Sequence, residues 1–167
     1  MSNIKIVSEQ FALHSRLFNN VLEGIDDIKG HERLSEEINH IQWIAGHLTN
    51  TRYNYAAMLG IDKAFPYKDL YADPTKPPPS NRAIDASIQY PSIAEISKYW
   101  NEYAAPFAEA VSKLSDAQVE NEMPFGTPIG DKSMLGLFGF LSSHEIYHIG
   151  QMSIIRKYLG LGAMSYK

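Results

Sequence analysis

Cysteine is absent from this sequence, which excludes disulfides, thiolate metal ligands and a cysteine nucleophile from its chemistry. Also missing is any run of about 18 uninterrupted apolar residues, so no membrane-spanning helix is expected. The opening segment MSNIKIVSEQF has no apolar signal core, and the expected location is the cytoplasm. Positive charge is in short supply: 15 Lys and Arg stand against 19 Asp and Glu, a formal net charge of -4. Proteins that grip nucleic acid usually carry a basic patch, so nucleic acid is not an expected partner. What the chain does have is 44% hydrophobic and only 20% charged residues, the balance of a sequence that folds around an apolar core. Its 167 residues are about one domain's worth, and a single domain over 1–167 is expected.

Apolar periodicity predicts four helices. Ile4, Val7, Phe11, Phe18, Val21 and Ile25 recur at steps of three, four or seven, and His14 completes this stripe facing inward. A second helix is expected from Ser35, followed by acids near the positive end of the helix dipole, through Ile41, Ile44, Leu48 and Tyr55 to Gly60. Gly46 interrupts it at a cost of about 1 kcal/mol relative to Ala, which suggests close packing there. Residues 61–91 contain ADPTKPPPSN and read as a long crossover, because successive prolines lack donors and clash with helix geometry. Phe65, Tyr67 and Tyr71 within it suggest that the crossover packs over the helices. Helix three is expected from Ser92 to Leu114, with Ser92 and Glu95 as a capping box and Pro106 as a kink site. After turns or a short hairpin, a last helix extends from Ser133 to Leu159. The fold class is therefore all-α, a four-helix bundle with a long crossover between helices two and three.

The last helix carries HEIYH at 144–148. Histidines four apart put both rings on one helix face, about 6 Å apart along the axis, a spacing that suits two ligands of one ion. The stripe Leu137, Leu141, His144, His148, Gln151, Ile155 and Leu159 aligns the pair with core positions. The pentapeptide matches the zinc-peptidase pattern, in which the intervening Glu activates water. That arrangement needs a further ligand downstream, and no His, Asp, Glu or Cys follows His148. Upstream, His47 is the best third ligand, on the apolar face near Ile44 and Leu48, with His40 and His14 in reserve. Three neutral imidazoles hold one divalent ion, zinc, nickel or another, and leave a coordination position free. Glu145 is a general-base candidate, a solvated side chain or a residue that supports the ligands from behind, and Gln151 orients a ligand or caps a buried polar group. His14, His40 and Tyr53 are further candidates for such a supporting or pocket role, and His14, if it is not a ligand, is expected to be a hydrogen-bonded polar residue of the core. Arg52 and Arg156 are read as anchors for an acidic substrate or as surface ion pairs.

GHL at 46–48 together with HEIYHIGQ at 144–151, in this helix order and with the long crossover, resembles the DinB/YfiT-like superfamily. The resemblance implies a four-helix bundle that binds a divalent metal through His47, His144 and His148, and a homodimer. A basic residue commonly precedes the Gly-Gln of the final helix in that family, whereas Ile149 stands there in this chain. Some relatives transfer or isomerise with low-molecular-weight thiols activated by the metal, which implies a thiol transferase acting on a small electrophile. A metal-dependent hydrolase using Glu145 is the enzymatic alternative, and a metal-stabilised stress or interaction protein without turnover is the other.

Overall fold

The computed structural model describes residues 3–76, 81–125 and 127–167. Four long helices form the body: α1 (Asn3–Leu22), α3 (Ile41–Ala56), α4 (Ile93–Ser112) and α6 (Met134–Tyr158). Two short helices that periodicity does not reveal, α2 (Asp27–His31) and α5 (Asp116–Val119), turn the chain between them. No strand is present among the described residues; the segment before α6 closes with one antiparallel bridge between Glu122 and Ser133. The fold is all-α, as the periodicity and the resemblance imply.

Helix boundaries follow local hydrogen-bond chemistry. Ser92 caps α4 by accepting from Glu95 N, and the Glu95 side chain reaches back to the cap backbone, the expected capping box. Ser133 caps α6 by accepting from Gly136 N. The second long helix departs from expectation: it starts at Ile41 rather than Ser35. His40 holds extended backbone and its Nδ1 accepts from Trp43 N, so an imidazole does the capping that Ser35 was expected to do. Past Ala56 the helix runs on into one 3-10 turn, Ala57–Leu59, and Gly60, with φ +74°, takes the left-handed conformation that ends that turn.

Side-chain pairing sets the directions. Gln10 with Ser142, His14 with Glu145 and Arg156 with Val21 run α1 parallel to α6. Ser8 donates to Ala108 O and Asn19 pairs with Asn101, so α1 runs antiparallel to α4. The Gln42 amide donates to Pro91 O and the Tyr53 ring meets Tyr103, which makes α3 and α4 parallel. Two parallel neighbours cannot be joined by a tight turn; the chain must return the whole helix length, which is why residues 61–91 are so long. Within that crossover Phe65 and Tyr71 are buried against α3. The prolines expected to break helix geometry there, Pro77–Pro79, lie outside the described residues.

One apolar core joins all four long helices, with Phe11, Phe18, Trp100, Phe107 and Phe138 fully buried at its centre. Phe18 stacks on Trp100 at 3.9 Å between centroids. Gly46 does permit a close approach, but to the crossover: a Cβ there would collide with the ring and hydroxyl of Tyr71.

Two outcomes follow from this packing. Gly46→Ala gains about 1 kcal/mol of helix propensity but overpacks a fully buried tyrosine at a typical cost of about 1–3 kcal/mol. Net destabilisation is expected, read as a lower urea midpoint with an unchanged slope. The second concerns His40, whose pKa is pushed down to about 4 by burial and then by neighbouring His31 and Arg33. The unfolded chain binds this proton near pH 6.5 and the folded chain does not, so stability present above pH 6.5 is lost as pH falls toward 4. His40→Asn, which keeps a capping acceptor but does not titrate, is expected to lose less stability than wild type over that range in parallel urea titrations.

Candidate metal centre

The middle of α3 and the middle of α6 bring three imidazoles together. His144 and His148 stand one turn apart on α6, and His47 enters from the antiparallel α3. Their ring centroids are 5.1, 5.0 and 4.6 Å apart, and one nitrogen from each lies within 4.8 Å of the others. His47 Nε2 and His144 Nε2 are separated by 3.1 Å. A tetrahedral ion with metal–nitrogen bonds of about 2.05 Å separates its ligands by roughly 3.3 Å, so this pair already has the spacing of ligands to one ion.

Protonation suits the same role. Burial, then the adjacent His144 and His148, push the His47 pKa down to about 3. Burial and His148 push His144 down to about 4, against an opposing pull from Glu145. His148 is also lowered by burial, partly offset by Gln151. Neutral imidazoles keep the lone pair that a cation needs. His148 Nδ1 lies 2.6 Å from the Gln151 amide oxygen, which only accepts. The proton therefore sits on Nδ1 and Nε2 is left as the donor atom to a metal. The Gln151 amide nitrogen in turn donates to Tyr147 Oη at 3.1 Å. Trp43 stacks flat on His47, with 6° between planes and 5.1 Å between centroids, and limits rotation of that ring. The donor set, spacing and tautomer fit a divalent metal ion.

Not every candidate residue joins the triad. His14 and His40 lie elsewhere, one bonded to Glu145 and the other capping α3. Tyr53 is buried in an aromatic cluster with Phe65, Tyr99 and Tyr103. The buried face of α6 is centred to one side of the predicted stripe: Leu137, Leu141 and Ile155 of that stripe are buried, but so are Phe138, Ser142, Glu145, Ile149, Met152 and Arg156, and His144 and His148 are left half-buried at the edge. Glu145 is thus a core residue, 2% exposed, with its oxygens engaged by Arg52 at 2.6 and 2.9 Å and by His14 at 3.1 Å. Burial would raise its pKa, but the charge and hydrogen bonds of Arg52, with His14, hold it below the usual carboxylate value. A carboxylate so engaged is not the general base that HEIYH suggests, nor a solvated side chain. Arg52 and Arg156 are likewise interior residues rather than substrate anchors or surface pairs; Arg156 donates to the carbonyls of Val21 and Leu161.

Sequence reading missed the cleft that opens beside His144. It measures about 120 Å³ and is lined by Thr51, Asn54, Tyr55, Asn81, Phe140 and Leu141 with the His144 ring. Thr51 and Tyr55 lie one and two turns beyond His47 on α3, a register visible in sequence only once His47 is known to face the site.

The protein is thus a bundle of antiparallel and parallel helices with a three-histidine cluster, a candidate divalent-metal site, at one helix seam. The chain belongs to the DinB superfamily, whose profile matches residues 10–152. No curated protein and no solved structure matches the chain.

Elemental analysis is expected to find about one divalent ion per chain, the capacity of a single three-imidazole site. His47→Ala, His144→Ala and His148→Ala, folded by circular dichroism, are each expected to lose it. The protein has two tryptophans, and only Trp43 touches a candidate ligand. Zinc added to metal-free protein should change tryptophan emission, and Trp43→Phe should abolish the change while zinc is still bound. Retained metal in all three histidine variants would exclude the triad as the site.

Proposed function

We propose that the protein is a divalent-metal-dependent transferase that joins a low-molecular-weight thiol to a small electrophile. The carrying observation is the cleft of about 120 Å³ beside His144: this member of the triad stands at the edge of the buried face of α6 and lines an open space next to the candidate ligands. A purely structural ion is more often closed in by four protein ligands. The reading includes one zinc or nickel ion per chain, a single domain and a cytoplasmic homodimer.

His47, His144 and His148 would hold the ion, with Gln151 and Trp43 fixing two of the rings. A divalent ion supplies positive charge that lowers the pKa of a group brought beside it. Around that position, Asn54, Asn81 and Tyr55 offer hydrogen bonds to orient a substrate, and Phe140 and Leu141 shield one side from water. No carboxylate lines the cleft among the described residues, and Glu145 is committed to Arg52 and His14. This favours a nucleophile that ionises readily. A thiol, with a pKa of about 8.5, needs far less help than water, at about 15.7. Hydrolysis assisted by Glu145 loses its support on the same geometry.

A panel of low-molecular-weight thiols, assayed with a chromogenic aryl halide on protein loaded with zinc or nickel, tests the proposal. Metal-dependent turnover is expected with at least one thiol, falling roughly 100-fold in His144→Ala. Ester hydrolysis without thiol transfer would favour the hydrolase. Neither activity, in protein that binds its metal tightly, would favour a metal-stabilised interaction protein.

A further inference from the structure

Behind the triad lies a second polar cluster that ligation of an ion does not itself use. Arg52 is 2% exposed and its donors are met on several sides: Nε and one terminal nitrogen by the two Glu145 oxygens, the other terminal nitrogen by Ser15 Oγ at 2.8 Å. It also donates to Phe11 O at 3.0 Å, and its guanidinium lies 3.9 Å over the Trp100 ring. His14 Nδ1 closes the cluster on Glu145 at 3.1 Å. The residues come from α1, α3, α4 and α6, so one side-chain network touches all four long helices.

Its position relative to the ligands is specific. Glu145 directly follows His144 on α6, and Arg52 stands five residues beyond His47 on α3. The two-pronged Arg52–Glu145 contact is a bond between the two helices that carry the ligands, made next to them and with fixed geometry. Apolar burial is non-directional and by itself constrains helix rotation less sharply than a planar fork on a carboxylate, which accepts few geometries. We infer that Arg52 and Glu145, steadied by His14, are positioning residues that set the rotation and register of α6 against α3 at which His47 meets His144 and His148. This rests on the reading of the triad as a metal site, and it gives Glu145 of HEIYH a role distinct from catalysis.

A structural role alone and a positioning role separate when the network is replaced by packed apolar residues. Arg52→Met, Glu145→Leu and His14→Leu are combined in one chain, and zinc affinity is measured by competition with a chromophoric chelator, beside thermal unfolding of the metal-free protein. The expected result is metal-free stability at or above that of wild type, with zinc affinity weakened roughly 10- to 100-fold, the usual cost of losing groups that orient ligands. Weakening of at least about fivefold supports positioning, and anything less overturns it. Should the combined variant not fold, Arg52→Lys, which keeps the charge but loses the fork, is judged by the same threshold. Wild-type protein that takes up no zinc would bring down the metal reading and this inference together; tight wild-type binding preserved in the variants would bring down the inference alone.

Discussion

A guanidinium and a carboxylate buried against each other form the constraint on which the rest of this bundle turns. Taking either ion out of water costs several kcal/mol, and removing one partner from such a pair typically costs about 3–5 kcal/mol. Arg52 and Glu145 are tolerated inside because the fork contact, Ser15, Phe11 O, His14 and the Trp100 face leave little hydrogen-bonding capacity unmet. The consequence for α6 is geometric. With Glu145 at the centre of its buried face, His144 and His148 are carried to the flank, close enough to α3 for His47 and near enough to the surface for a cleft.

The three imidazoles and the polar network are therefore two uses of one helix seam. On one side, neutral nitrogens are gathered with their lone pairs free, and desolvation keeps them neutral. On the other, opposite charges neutralise each other. Gln151 and Trp43 add control from outside, one by setting the tautomer of His148 and the other by stacking on His47. A site built on the middle of two long helices is held more rigidly than one built on loops, which suits a centre whose ligand atoms must converge within a few tenths of an ångström.

The four long helices were legible in the sequence because burial of an amphipathic stripe leaves a period of three and four, and because Ser92 and Ser133 carry capping chemistry in their own side chains. The start of α3 was not legible, since Ser35 followed by acids imitates a cap while the acceptor used is a histidine ring. Nor was the rotation of α6. Counting apolar residues places His144 and His148 inside and Glu145 outward, because a lone glutamate reads as solvated until its arginine is known. The burial of Arg52 was hidden for the same reason: a charged residue on a helix is usually at the surface, and its partners are 37 and 93 residues away.

By itself the sequence determined the helical class, the long crossover and the chemistry of the candidate ligands, because periodicity, proline and imidazole act within a turn or two of chain. HEIYH also determined that two nitrogens would share a face. Tertiary structure alone decided that His47, rather than His14 or His40, faces that pair, that Glu145 turns inward, and that a cleft opens at His144. Each of these depends on how one helix is rotated against another, and that angle is set by contacts between residues far apart in the chain.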